Sequence, residues 1–328
     1  MPSLVETERL RKSFGAIVAV DGISLRVEKG EVLGFLGPNG AGKSTTMKMI
    51  TGFLAPDSGS AHIAGIDVLQ EPKAAKRRLG YLPEGAPSYG DMTVRSFLSF
   101  IAEVRGLSLG ERWRHMEVAV DRTELGGVLD QRIETLSKGF RRRVGLAQAI
   151  LHDPEVLILD EPTDGLDPNQ KHQVRKLIQD MASNKAIIVS THILEEVEAV
   201  CTRAIVIDKG HVVADGTAED LQKRLPYHNA VSLKVRSSAA DHVRAELAKV
   251  SGIDRVETLG QANGGLHLRV YPKPGVQIVM SVAGALREKN LAVDELFVER
   301  GRLDDVFRQI TSSAQGPKPV KAGGARHA

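Results

Sequence analysis

The stretch Gly37-Pro38-Asn39-Gly40-Ala41-Gly42-Lys43-Ser44-Thr45 restricts the fold of this chain more than any other. It matches G-x-x-x-x-G-K-[ST], a loop whose backbone N–H groups cradle phosphates. An apolar run, Val32 to Leu36, precedes it and reads as a buried strand. The helical pattern that Ser44 opens follows it, with Met47 and Ile50 on one face. Glycine at 37, 40 and 42 lets the backbone curl inward. The helix N-terminus adds partial positive charge. Lys43 can reach the β- and γ-phosphates of a nucleoside triphosphate, and Ser44 can hold Mg²⁺. A strand–loop–helix of this kind belongs to an α/β fold with a parallel sheet.

Compact apolar runs ending in polar residues support that class. Val156-Leu157-Ile158-Leu159 ends at Asp160-Glu161, Ala186-Ile187-Ile188-Val189 at Ser190-Thr191-His192, and Ala204-Ile205-Val206-Ile207 at Asp208. Such runs suit strands covered on both faces. Ligands of open parallel sheets bind at the carboxyl ends of strands, so Asp160, Glu161 and His192 are expected near the phosphate loop. Short β-rich runs also occur at Val18 to Val20 and Ile23 to Val27. Residues 92 to 152 read as mostly helical, with Phe97, Phe100, Ile101 and Val104 at helical spacing.

The chain's 328 residues allow two domains. A second unit is expected from Pro226. Val231-Leu233-Val235 alternates as a strand, Ala239 to Val250 reads as a helix, and Ile253 to Leu259 and Leu266 to Tyr271 as strands turning at Gly264-Gly265. Val276 to Lys289 reads as a helix and Leu291 to Val298 as a strand. The order βαββαβ is a ferredoxin-like split pattern. A short helix, Leu303 to Ile310, follows. Residues 312–328, rich in Gly, Pro, Ala and Lys, read as a disordered tail.

Net charge is only +3, from 44 basic and 41 acidic residues. That balance gives no general case for nucleic-acid binding. Cys201 is the only cysteine, which excludes an intrachain disulfide, points to a reducing compartment and suggests a packing role. No run of 18 or more apolar residues occurs, so no spanning helix is expected. The N-terminus lacks the apolar core of a secretory signal.

Taken in order, the motifs of the first 220 or so residues resemble the ATP-binding subunit of an ABC transporter. Leu136-Ser137-Lys138-Gly139-Phe140 resembles the family's signature sequence. Val156 to Glu161 resembles the Walker B strand, Gly165-Leu166-Asp167 the D-loop, and Ser190-Thr191-His192 the switch histidine. Phe14 lies 23 residues before Gly37, where the family places an aromatic against adenine. The resemblance implies a P-loop NTPase ABC cassette over residues 1–225, with a RecA-like core, an antiparallel β subdomain and a helical subdomain at about 85–152. A ferredoxin-like accessory domain would span 226–311.

The implied site follows residue by residue. Gly37 to Thr45, with Phe14, would bind ATP, and Ser137 and Gly139 would meet the γ-phosphate held by a second copy of the chain. Ser44, Asp160 (through water) and Glu84 would hold Mg²⁺. Glu161 would act as general base, with Lys43 and His192 on the γ-phosphate. A bland alternative for Asp160-Glu161 is a helix N-cap, and Phe14 could instead be core. Arg141, Arg142 and Arg143 crowd the first turn of a helix, where cations oppose its dipole. Either a nearby anion or acidic partner answers them, or they form a solvated face.

Lys138 and Phe140 replace the more familiar Gly and Gln of the signature, and Glu84 stands where Gln is usual. Leu79-Gly80-Tyr81-Leu82-Pro83-Glu84 and the ending Arg302 to Thr311 resemble a subset of bacterial type-2 exporters. The implied partners are a separate polytopic permease and a second ATPase chain, at the inner face of the cell membrane. A soluble ABC ATPase acting on DNA or ribosomes, and an importer subunit with a substrate-sensing tail, are the other readings. The transported substrate is not written in these residues.

Overall fold

The computed structural model describes residues 3–86, 88–262 and 265–313. They fall into two compact units, divided between Ala218 and Glu219. The first unit opens with two long strands, β1 (Ser3–Phe14) and β2 (Ile17–Glu28), joined at Gly15 and Ala16. The two short β-rich runs of the sequence therefore lie in one continuous strand, β2. Next come β3 (Val32–Leu36), α1 (Lys43–Ile50), β4 (Ser58–Ile63), β5 (Ile66–Asp67), α2 (Pro72–Arg78) and β6 (Leu79–Leu82). α3 (Val94–Val104), α4 (Leu109–Arg122) and α5 (Lys138–Ile150) supply the expected helical stretch. The unit closes with β7 (Val156–Asp160), α6 (Pro168–Ala182), β8 (Ala186–Thr191), α7 (Leu194–Val200), β9 (Arg203–Asp208) and β10 (His211–Gly216).

Two sheets build this unit. One is antiparallel, in the order β2-β1-β4-β5; the other has the order β10-β9-β3-β8-β7-β6. In the second, β9, β3, β8, β7 and β6 run parallel and β10 pairs antiparallel at the edge. Strands β3, β7 and β8 are buried at every residue, which explains why their sequences are unbroken apolar runs. One face packs against a core containing Phe35, Met47 and Ile63, the other against a core containing Leu98, Val144 and Ile187. Side chains of this size each contribute about 1.5–3 kcal/mol on full burial. The carboxyl ends of β3, β7 and β8 thereby become a rigid shelf carrying the phosphate loop, Asp160-Glu161 and His192.

α8 (Ala218–Gln222) begins the transition to the second unit, which contains β11 (Val231–Arg236), α9 (Ala240–Leu247), β12 (Ile253–Ala262), β13 (Gly265–Pro272), α10 (Val279–Glu288), β14 (Glu295–Val298) and α11 (Leu303–Ser313). Its antiparallel sheet has the order β12-β13-β11-β14. Val231, Leu233 and Val235 of β11 share a separate core with Val243 and Leu247 of α9 and Val282 and Leu286 of α10. α11 reaches Ser313, beyond the Ile310 end expected from its pattern. Gly264 of the expected turn, and residues 314–328 of the expected tail, lie outside the described residues. Among the described residues, no helix is long and apolar enough to cross a membrane.

Candidate functional site

The phosphate loop is a close-packed turn. A Cβ on Gly37 would lie 2.6 Å from the Ile207 carbonyl oxygen. Gly42 has φ +104°, and a Cβ there would lie 2.4 Å from the Ala19 carbonyl oxygen. No other residue type fits either position. Gly42 also caps α1, which starts at Lys43, one residue before the expected opening at Ser44. Asn39 and Gly40 are exposed at the tip, and Ser44 and Thr45 are half-buried. The buried Lys43 Nζ donates to the Gly37 carbonyl at 2.7 Å and the Pro38 carbonyl at 3.2 Å. Burial pulls its pKa down, opposed by the negative charges of Glu161, Asp160 and Glu84. The loop lysine and the three expected carboxylates therefore share one field.

Asp160 ends β7 and is buried. Neither it nor Glu161 caps a helix; that duty falls to Asp167 at the start of α6, so the N-cap alternative is excluded. Glu161 has φ +51°, a conformation that costs a non-glycine residue about 1–2 kcal/mol. The turn is held by its N–H, which donates to the Ser190 carbonyl at 2.9 Å. Its carboxylate Oε1 lies 2.8 Å from His192 Nδ1. This pairing follows from topology: β7 and β8 are parallel neighbours with Asp160 opposite Ser190, so Glu161 and His192 emerge from adjacent strand ends. Burial raises the Glu161 carboxyl pKa, and the hydrogen bond and charge of His192 partly offset that.

Glu84 is exposed just beyond β6. Phe14 ends β1, half exposed, with Lys12 Nζ 5.9 Å from its ring centroid. The core alternative for Phe14 is thus excluded. Ser137 caps α5, accepting the Phe140 N–H at 3.3 Å. Gly139 packs so tightly on α6 that a Cβ would meet Gln170 Oε1 at 2.7 Å. Lys138 pairs with Asp164 at 2.9 Å, tying the helix start to the loop before α6.

The solvated-face expectation fails for Arg142 and Arg143, which are buried against their own chain, whereas the expectation of nearby anions holds within the chain itself. Arg142 donates to the carbonyls of Asp160 and Glu161 and, at 3.1 Å, to that of Pro83. One guanidinium therefore joins α5 to the Glu161 turn and to the segment before Glu84. Arg143 pairs with Glu124 at 2.9 Å and bonds Gln173; only Arg141 is exposed. A helical projection carries the missed signal: Arg142 and Arg143 lie four residues before the buried Leu146 and Ala147, on the inward face. Cys201 has the packing role its sequence suggested, its thiol pKa pushed up to about 12 by burial.

Beside these residues runs a groove of about 680 Å³, between α2 and α3 and floored by β6. Phe53, Tyr81, Ile101 and Val104 line it, with Lys73 and Arg77 at the rim. Phe53 is 76% and Val104 64% exposed. The Tyr81 hydroxyl is buried there, with no hydrogen-bond partner among the described residues.

A strand–phosphate-loop–helix with paired carboxylates and a histidine on adjacent strand ends defines a nucleotide-hydrolysing P-loop cassette. The ABC transporter family model matches residues 20–164. The linearmycin resistance ATP-binding protein LnrL of Bacillus subtilis (strain 168) is 36% identical over 309 residues, 94% of this chain and 98% of its own. The daunorubicin/doxorubicin resistance ATP-binding protein DrrA of Streptomyces peucetius is 33% identical over 316 residues, 94% of this chain and 92% of its own. A solved ATP-binding subunit of an ABC transporter is 31% identical with a TM-score of 0.64, covering 68% of this chain and 93% of its own. The chain belongs to the ABC transporter family, as an ATP-binding subunit with ATPase activity.

Proposed function

We propose that two copies of this chain close around two ATP molecules and drive a separate polytopic permease in the direction of export, from the inner face of the cell membrane. The Glu161–His192 pair, 2.8 Å apart beside Asp160 and Lys43, carries the catalytic part of this reading. Lys43 leaves the loop carbonyls to take the β- and γ-phosphates. The loop amides of Gly37 to Thr45 hold the same oxygens, supplying the positioning and charge stabilisation that phosphoryl transfer needs. Glu161 receives the proton of the attacking water, and His192 orients Glu161 and contacts the γ-phosphate. Phe14 stacks on the adenine, consistent with its half-exposed ring.

Ser44, Glu84 and Asp160 present a hydroxyl and carboxylates, the hard oxygen donors that suit Mg²⁺. They would hold that ion, Asp160 through water. When bound, Mg²⁺ neutralises charge on the phosphate oxygens. Ser137 and Gly139 serve the nucleotide of the second copy. Among the described residues their contacts run to Phe140 and Gln170 rather than to the phosphate loop, and each motif occurs once in the chain.

The groove between α2 and α3 receives a cytoplasmic helix of the permease. Its apolar walls and basic rim suit an amphipathic segment near anionic lipid headgroups. The linearmycin-resistance and daunorubicin/doxorubicin-resistance relatives support export of a drug-like compound. The second unit is a ferredoxin-like domain: its βαββαβ order and its sheet order, second-third-first-fourth strand, support that assignment. Its role is accessory to the dimer.

Glu161→Gln tests the catalytic reading. It should bind ATP while turnover falls about 10²–10⁴-fold, and light scattering should detect an ATP-dependent dimer. Near-normal turnover would remove Glu161 as the base, and a monomer at saturating ATP would remove the sandwich. Co-purification of the trapped form with a polytopic membrane protein tests the permease.

A further inference from the structure

Behind the Glu161–His192 pair lies a polar cluster that the reaction does not touch. Glu196 of α7, only 3% exposed, accepts a hydrogen bond from the Thr163 hydroxyl on Oε1. On Oε2 it accepts one from the Thr191 hydroxyl at 3.0 Å. Thr191 Oγ1 in turn accepts the Ile193 N–H at 3.1 Å. The nearest cation, Arg175, lies 3.9 Å from Oε1. Thr163 follows Glu161 by two residues, and Thr191 immediately precedes His192. Both threonines are buried.

A carboxylate in such a place is costly, and an apolar side chain of similar volume would fill the space more cheaply. What the carboxylate adds is a fixed link between two loops, since a fully bonded buried network specifies one arrangement. We propose that Glu196 is a positioning residue: by holding Thr163 and Thr191 it sets the distance between the Glu161 turn and the His192 turn. The proposal rests on the assignment of Glu161 as base and His192 as its orienting partner.

Glu196→Leu should lower kcat about 10- to 100-fold, the scale of an ångström-sized misplacement. KM and ATP affinity should stay within about twofold, because the loss falls on the chemical step. Glu196→Gln should restore most of kcat, since an amide can accept from one threonine and donate to the other. Adding Thr191→Val to Glu196→Leu should cause no further loss. If Glu196→Leu does not fold, Thr163→Val and Thr191→Val carry the test, each lowering kcat at constant KM with non-additive effects. Unchanged kcat, a parallel loss of ATP affinity, or no recovery in Glu196→Gln would overturn the proposal. Glu161→Gln in the same assay separates the two levels. Near-normal turnover there overturns the base assignment and this inference together. Loss of turnover there, with full activity in Glu196→Leu, overturns this inference alone.

Discussion

Burial and hydrogen bonding pull the Glu161 carboxyl in opposite directions. Burial, the larger effect, favours the protonated form and raises its pKa; the His192 contact favours the ionised form and lowers it. A base works only when ionised, so the acid limb of the single-turnover rate should lie above the ordinary glutamate range. Removing a lowering influence raises a pKa, so His192→Ala should shift that limb further up, and a pH–rate profile measures both. Glu84 invites a second comparison, because its charge acts directly on Lys43. Glu84→Gln should change the Mg²⁺ concentration needed for half-maximal turnover, read from an ATPase titration at fixed ATP. Lys43 and Glu161 were legible in the sequence because each belongs to a local motif. Arg142, Thr163 and Glu196 were not, because the bonds of Arg142 span 18 to 59 residues and the Thr163–Glu196 bond spans 33, and no spacing rule connects such partners.

At the level of elements, caps and strand ends determine where the chemistry falls. Asp167 accepts the Gln170 N–H at 2.9 Å, and Gln170 completes a capping box at the start of α6. Asp167→Ala should therefore destabilise the protein by about 1 kcal/mol, while Asp167→Asn keeps most of the cap; denaturant midpoints measure the difference. The buried strands β3, β7 and β8 were readable as unbroken apolar runs. β1 escaped notice as a strand because only some of its residues are buried, so no continuous run marks it. The solvated-face alternative for the first turn of α5 failed for a related reason: arginine is ordinarily a surface residue, and only packing against β7 and the Pro83 segment shows what Arg142 holds.

Across the whole molecule, two units each carry a core of their own, and the first also carries an apolar groove between α2 and α3. Phe53 is the most exposed apolar side chain there. Phe53→Glu should leave the ATPase rate of the isolated protein within about twofold, since it touches no reacting group, yet abolish pull-down of the permease from detergent-solubilised membranes. The sequence by itself determined the phosphate loop, the strand texture, the order of motifs and the βαββαβ pattern, because each depends on neighbours a few residues apart. Only the tertiary structure decided that Glu161 meets His192, that Arg142 holds three carbonyls and that α2 and α3 enclose a groove. Those contacts join segments far apart in the chain, and their partners are chosen by strand order and burial, which local composition does not encode.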